Sequence, residues 1–246
     1  MIKQLLLFSN FLLLFLVKGF GQSIFINEGK IEFERRLSVY KDIEGTELET
    51  YKGTLPPFFL SIHQLYFKNG KSLYQRDRIV DNSGGLFRDY PSLGDKIYTD
   101  IDKKIFSHVT SMSEVPVVIS DSSATVKWII KNELREIAGF ECVRAEGIFC
   151  DSLFVIAFFS HQIPVSGGPM KFSGLPGMIL GVVIPRLHLT VFATKLELNV
   201  IDENKIVYKP TSSEQIINYT TFKRYIDQEV KKINDNRKNG LLRRLF

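Results

Sequence analysis

Residues 163–181, IPVSGGPMKFSGLPGMILG, are the densest cluster of glycine and proline in the chain, and apolar runs flank them on both sides. Gly167, Gly168, Pro169, Gly174, Pro176 and Gly177 exclude a regular helix or strand there. Punctuation on that scale between two buried runs predicts a shaped, ordered crossover rather than a linker. Phe172, Leu175 and Ile179 supply apolar anchors for it. The loop is therefore read as a structural element of the core.

Strand patterns occupy most of the remaining chain. Lys30 to Tyr40 alternates apolar and polar residues. Phe58 to Phe67 and Ser72 to Asp77 flank Asn69-Gly70, a pair that favours the positive φ of a tight hairpin. Lys96 to Asp100 and Lys104 to Thr110 form a second expected hairpin. Thr125 to Leu134 and Phe140 to Phe149 form a third, turning at Ala138-Gly139. Leu153 to Ile163, Met178 to Ile184 and His188 to Val200 complete the series. Twenty Phe and nine Tyr against one Trp suit pleated, half-buried surfaces. The expected fold is mainly β: a meandering antiparallel sheet, as a curved half-barrel, barrel or sandwich. Leu48 to Leu60, with Pro56-Pro57, and Asn82 to Gly94 read as extended or looped.

Both ends differ from this body. Lys3, the apolar run Leu5 to Val17 and Gly19-Phe20-Gly21 predict a secretory signal peptide over 1–21, cleaved before Gln22. The apolar run is thirteen residues, short of the ~20 that span a bilayer. The mature chain is read as a single β-rich domain, 22–246, that does not span a membrane. Thr221 to Asn239 carries Phe222, Tyr225, Ile226, Val230 and Ile233 at helical spacing, which predicts an amphipathic helix over about 221–239. Thr220 is its expected N-cap and Gly240 its stop. Its polar face and the tail LLRRLF are basic, and two readings stay open: a surface helix packed on the sheet, or one drawn to acidic headgroups. The formal charge of the whole chain is only +5, which does not call for nucleic acid.

Catalytic signatures are absent from the local sequence. Ser173 lies in FSGLP, which does not fit G-x-S-x-G, and Ser166 has no evident base beside it; both are expected to cap turns. His63, His108, His161 and His188 occur in no metal-binding spacing, so no metal and no cofactor is expected. Arg186 and His188 are placed on one strand face, and Asp100, Asp102, Asp121 and Asp151 at turns. Cys142 and Cys150, if joined by one strand, lie about 26 Å apart, which predicts free thiols; a turn between them would permit a bridge.

The loop also resembles the signature of the GLPGLI family, secreted Bacteroidetes proteins of unknown function. Gly174-Leu175-Pro176-Gly177-Met178-Ile179 stands for the name-giving hexapeptide, with Met178 where the family has Leu. Ile163, Pro164, Gly168, Pro169 and Phe172 look like the residues that precede it, and Trp128, Gly139 and Cys142 like an upstream section of the pattern. Ala157 to His161 departs from the family's usual aromatic–polar stretch, and Cys150 lies outside the pattern; both speak against catalysis by His161 or Cys150. The resemblance implies export to the periplasm, outer-membrane periphery or exterior, and no activity. It also makes Asp151-Ser152-Leu153 an O-glycan acceptor pattern, although a plain turn explains the same residues. The leading expectation is a non-catalytic binding protein for an apolar, lipid-like ligand or an envelope protein. The alternatives are a hydrolase using a serine of the loop and a structural part of a surface complex.

Overall fold

The structure is a computed structural model that describes residues 26–80, 95–112, 115–123, 126–149, 153–212, 214–232 and 237–245. The expected leader, Cys150 and the Asp151-Ser152 pair lie outside these residues.

The fold is mainly β, built on one twelve-stranded sheet that remains open. Its strands are β1 (Glu28–Ser38), β2 (Phe58–Lys68), β3 (Lys71–Ile79), β4 (Lys96–Asp100), β5 (Ile105–Met112), β6 (Val115–Ser122), β7 (Ile129–Ile137), β8 (Phe140–Phe149), β9 (Leu153–Ser160), β10 (Met178–Ile184), β11 (Leu189–Glu197) and β12 (Gln215–Ile217). Their spatial order is β12-β6-β5-β4-β3-β2-β1-β11-β10-β9-β8-β7. Two antiparallel meanders, β1 to β6 and β7 to β11, therefore meet at the β1–β11 ladder. The sheet is mixed rather than purely antiparallel, because the short β12 pairs parallel to β6.

Turn chemistry sets the registers. Asn69 and Gly70 have φ of 47° and 68°, and Ala138 and Gly139 have φ of 52° and 82°, the backbone that a two-residue hairpin requires. One face of the sheet carries the main core, which includes Ile31, Phe33, Leu65, Phe67, Phe149, Phe159, Val182 and Val191.

The C-terminal helical region is broken. α1 (Val39–Ile43) and α2 (Glu203–Ile206) are short; α3 (Tyr219–Lys231) and α4 (Arg237–Leu242) replace the single helix expected over 221–239. Asn218, not Thr220, caps α3, its side-chain oxygen accepting from the Thr221 N–H at 2.8 Å. Gly240 lies inside α4 rather than after a helix end. Phe222 and Ile226 bury the apolar stripe of α3 in the main core. No described helix is long and apolar enough to cross a membrane.

Gly177 is the tightest joint between the crossover loop and the sheet. A Cβ there would lie 2.2 Å from the Ser160 carbonyl oxygen, and its φ is 153°. Gly177→Ala is expected to cost at least about 2 kcal/mol in urea denaturation. Gly45→Ala has positive φ but nothing within 4 Å of the added Cβ and should cost about 1 kcal/mol.

Candidate functional site

The loop between β9 and β10 folds inward. Its backbone turns on short local bonds: the Val165 N–H to the Ile163 carbonyl, the Gly167 N–H to the Val165 carbonyl and the Gly177 N–H to the Leu175 carbonyl, each 2.8 Å. The Met178 N–H also donates to Ile163, at 2.9 Å, and the Ile179 N–H to Gly167, at 2.8 Å. Ile163, Gly168, Pro169, Phe172, Leu175 and Gly177 are buried, while Pro164, Gly174 and Pro176 are exposed at its outer bends. A Cβ on Gly168 would meet the Ile179 Cβ at 2.7 Å.

Trp128 joins this loop from outside it. Its Nε1–H donates to the Ser173 carbonyl at 2.9 Å, and its ring meets Phe172 edge-on. Phe172 in turn packs on Phe149, ring centroids 5.5 Å apart. Gly139 and Cys142 belong to the β7–β8 hairpin instead. Cys142 is a buried free thiol, and burial pushes its pKa up to about 11, which leaves it unreactive.

The loop serines are not a catalytic pair. Ser166 Oγ accepts from the Gly174 N–H at 3.2 Å, a turn cap. The Ser173 hydroxyl makes no hydrogen bond to a base among the described residues. Arg186 and His188 share no strand: Arg186 sits in a 3-10 turn, and His188 follows it at φ 50°. Asp121 is in β6 rather than a turn, and it accepts from the Tyr219 N–H at the start of α3, 2.9 Å. The described residues hold no group of three metal-ligating side chains.

The chemistry gathers on the core-facing side of β1 to β5. Arg35, Ser61, His63, Tyr74, His108 and Thr110 are all buried there. Cross-strand register puts Arg35 opposite Ser61, His63 opposite Arg76, Tyr74 opposite Ile97 and Ile97 opposite His108. This is a polar belt inside an apolar core, in two groups: Arg35, Ser61, His63 and Tyr74 on β1 to β3, and His108 and Thr110 on β5, with Ile97 between them. The His63 ring stacks on Tyr74 at 5.1 Å, and its Nε2 lies 3.1 Å from Ser61 Oγ. His108 Nε2 lies 3.2 Å from the Asp95 carboxylate.

Ser61 and His63 have the spacing of a nucleophile and its base. Their environment denies them that role. Burial, then the positive charges of Arg35 and Arg76, hold the His63 pKa well below its usual value. No carboxylate orients its Nδ1, which has no hydrogen-bond partner among the described residues. A base so weakened does not activate a hydroxyl.

The tail closes this interior. Arg243, read from sequence as part of a basic surface, is buried; its Nη2 donates to the Leu187 carbonyl at 2.8 Å and meets Asp42 Oδ2 at 2.7 Å. Arg244 donates to the Ser111 carbonyl. Lys171, from the crossover loop, donates to the Leu245 carbonyl at 3.0 Å, and its Nζ lies 5.1, 5.2 and 5.9 Å from the ring centroids of Phe106, Tyr219 and Phe222. Cation–π attraction and a charge-assisted hydrogen bond thus tie loop, helix and tail together.

Two measurements follow from this geometry. Asp42→Ala removes the acid beside a buried guanidinium and is expected to lower stability by about 3 kcal/mol in urea denaturation. Burial and the Lys171 charge lower the His108 pKa from 6.5 to about 4, against the opposing pull of Asp95. The unfolded chain then takes up the proton first as pH falls. Stability should therefore decline from pH 6.5 towards pH 4, by up to about 1.4 kcal/mol per pH unit for this group. Replacing His108 with Gln should flatten that slope in urea midpoints taken across the range.

Residues 149–181, from the end of β8 into β10, match the sequence profile of a family described as "Protein of unknown function (Porph_ging)". No curated protein matches the chain. Among solved structures it is similar to PNGF-II in two crystal forms. One gives a TM-score of 0.50 at 14% identity over 81% of this chain and 33% of that one. The other gives 0.47 at 15% identity over 80% and 32%. It is also similar to an uncharacterized conserved protein from Thermus thermophilus, with a TM-score of 0.39 at 6% identity over 80% of this chain and 93% of that one. The chain thus spans about a third of the PNGF-II chains, and at 14% identity the likeness with TM-score 0.50 is one of fold alone.

Proposed function

We propose that the chain is an exported, non-catalytic binding protein of the bacterial cell envelope, of the GLPGLI type, with its ligand seated against the polar belt. The match over 149–181 and the Gly174-Leu175-Pro176-Gly177 sequence support the family reading. The apolar run and small-residue site before Gln22 support export.

One observation carries the binding role. Within the belt, His63 Nδ1, His108 Nδ1 and Thr110 Oγ1 are buried without a hydrogen-bond partner among the described residues. Folded proteins pair nearly all such atoms, with water or a ligand where protein groups do not serve. The purely apolar ligand expected from sequence fits this less well than a ligand with polar groups, because the apolar side of the core is filled by Phe149, Phe159, Phe172 and Phe222.

Native mass spectrometry of protein gently purified from the envelope fraction tests both parts. The expected polypeptide begins at Gln22 and carries a bound species of constant mass. His63→Gln, checked for folding by circular dichroism, should lose that species. Repeated recovery of bare polypeptide, with no thermal shift in a screen of small molecules, would sink the binding role. Recovery of the protein solely in the cytosol with residues 1–21 attached would sink the export role.

A further inference from the structure

The sheet ends on β7, and this edge differs from the other one. At the far edge β12 has only three residues. β7 runs for nine residues and pairs on one side with β8, with no strand on its other side among the described residues. The unpaired amides of a long edge template another strand, so native sheets blunt such edges with bulges and charge. β7 carries both devices, and neither one closes it.

The bulge preserves the facing of the strand. Ile130 lies opposite Ala145 and Leu134 opposite Val143, so Lys131, Asn132 and Glu133 share the single position of Arg144. Two residues are therefore extra, and an even insertion keeps Ile130 and Leu134 on one face. That is the core face, where Ala145 and Val143 continue into Ala157 and Phe159. Ile130 and Leu134 are nonetheless 51% and 60% exposed. The apolar layer thus runs out to the edge and stops there uncovered. Lys131 and Glu133 take the opposite face, where Lys131 meets Glu146 at 3.1 Å and Glu133 accepts from Arg144.

The order of these residues is self-complementary. Two β7 strands laid antiparallel about Asn132 set Lys131 opposite Glu133 of the second copy and Ile130 opposite Leu134 of the second copy. The two-fold axis makes each of these pairs occur twice. Centring the pair on Lys131 or on Glu133 instead sets like charges face to face. The half-steps between set Ile130 against Glu133 or Lys131 against Leu134. Opposite charges and apolar pairs directly across a ladder stabilise it, and like charges there destabilise it. Charges that deter an unrelated strand therefore select a second copy in one register. Lys131, Asn132 and Glu133 have no register partners in β8, which leaves their backbone groups to the second strand.

We propose that β7 is a homodimer interface at which two copies pair antiparallel about Asn132 and join their sheets into one. Ile130 and Leu134 of both copies then form an apolar cluster that covers the end of the core layer, and the Lys131–Glu133 pairs extend the charged face. This inference is independent of the ligand at the belt. The contact is one strand wide, so the dimer is expected to be weak and reversible.

Sedimentation velocity of the purified protein over a concentration series should show a monomer–dimer equilibrium. Leu134→Lys, at an exposed position and checked for folding by circular dichroism, should weaken dimerisation tenfold or more. Lys131→Glu and Glu133→Lys should each weaken self-association, and mixing the two variants should restore a dimer, because each then meets its opposite charge. The register has its own readout. Across an antiparallel pair the two Asn132 Cα atoms lie about 4.5–5.5 Å apart, within the ~4.4–6.8 Å of a disulfide. In a Cys150→Ser background, Asn132→Cys should cross-link under mild oxidation. Glu136→Cys, exposed on the same strand, would lie about 26 Å from its copy and should not. Should Leu134→Lys fail to fold, the concentration series and the two cysteine variants still decide the matter. A monomer at every concentration, a dimer indifferent to Leu134→Lys, a mixture of charge variants that stays monomeric, or cross-linking of Glu136→Cys as fast as Asn132→Cys would overturn the proposal.

Discussion

Everything inside this protein depends on the ladder between β1 and β11. Eight register pairs, from Lys30 opposite Glu197 to Leu37 opposite Leu189, join segments at opposite ends of the sequence. Without that ladder the chain is two separate meanders, each with an open inner edge. Ile31, Phe33, Leu189 and Val191 are buried along it, and Lys30 meets Glu197 at 2.7 Å. Closing so long a loop costs entropy before any contact compensates for it. Hairpins such as β2–β3 close short loops, whereas this join closes a long one. The polar belt begins at Arg35 on β1, and the crossover loop leads into β10, the neighbour of β11. The ladder is what places them in one interior.

That interior is arranged at a cost. Replacing a buried polar group by a well-packed apolar one is often neutral or stabilising. The belt instead keeps Arg35, His63 and His108 where Ile, Leu or Phe would pack, and burial drives both imidazoles to their neutral forms. Three polar atoms there, His63 Nδ1, His108 Nδ1 and Thr110 Oγ1, have no protein partner among the described residues. Burial and two guanidiniums hold the imidazole beside Ser61 well below its usual pKa, and no carboxylate among the described residues orients it. Recognition of a polar ligand accommodates both facts.

The sequence made much of this frame legible, and the reason it stopped short is specific. The turns at Asn69-Gly70 and Ala138-Gly139 demand positive φ, so their hairpins could be read locally. β6 is hard to read as a strand because Pro116 interrupts its apolar run and its end is polar, and β12 is too short to show a period. The β1–β11 join has no local signature at all. The belt did leave a signal. In β1 the inward positions are Ile31, Phe33, Arg35 and Leu37, and in β2 they include Phe59, Ser61, His63 and Leu65. Polar residues on the apolar parity of adjacent strands mark an interior polar site, whereas each histidine taken singly reads as an ordinary packed or surface residue. The tail is the complementary case: in the sequence Arg243 and Arg244 are part of a basic stretch, yet their guanidiniums bind the Leu187 and Ser111 carbonyls inside.

The closing elements tie the belt to the crossover loop. Lys171 sits within the Gly/Pro-rich loop, yet its ammonium is spent on the Leu245 carbonyl and on rings from β5 and α3. Tyr219 also donates to the Leu245 carbonyl, and its ring packs edge-on against both Phe106 and Phe149, so it bridges the two meanders. Loop, helix and tail therefore dock as one unit over the belt.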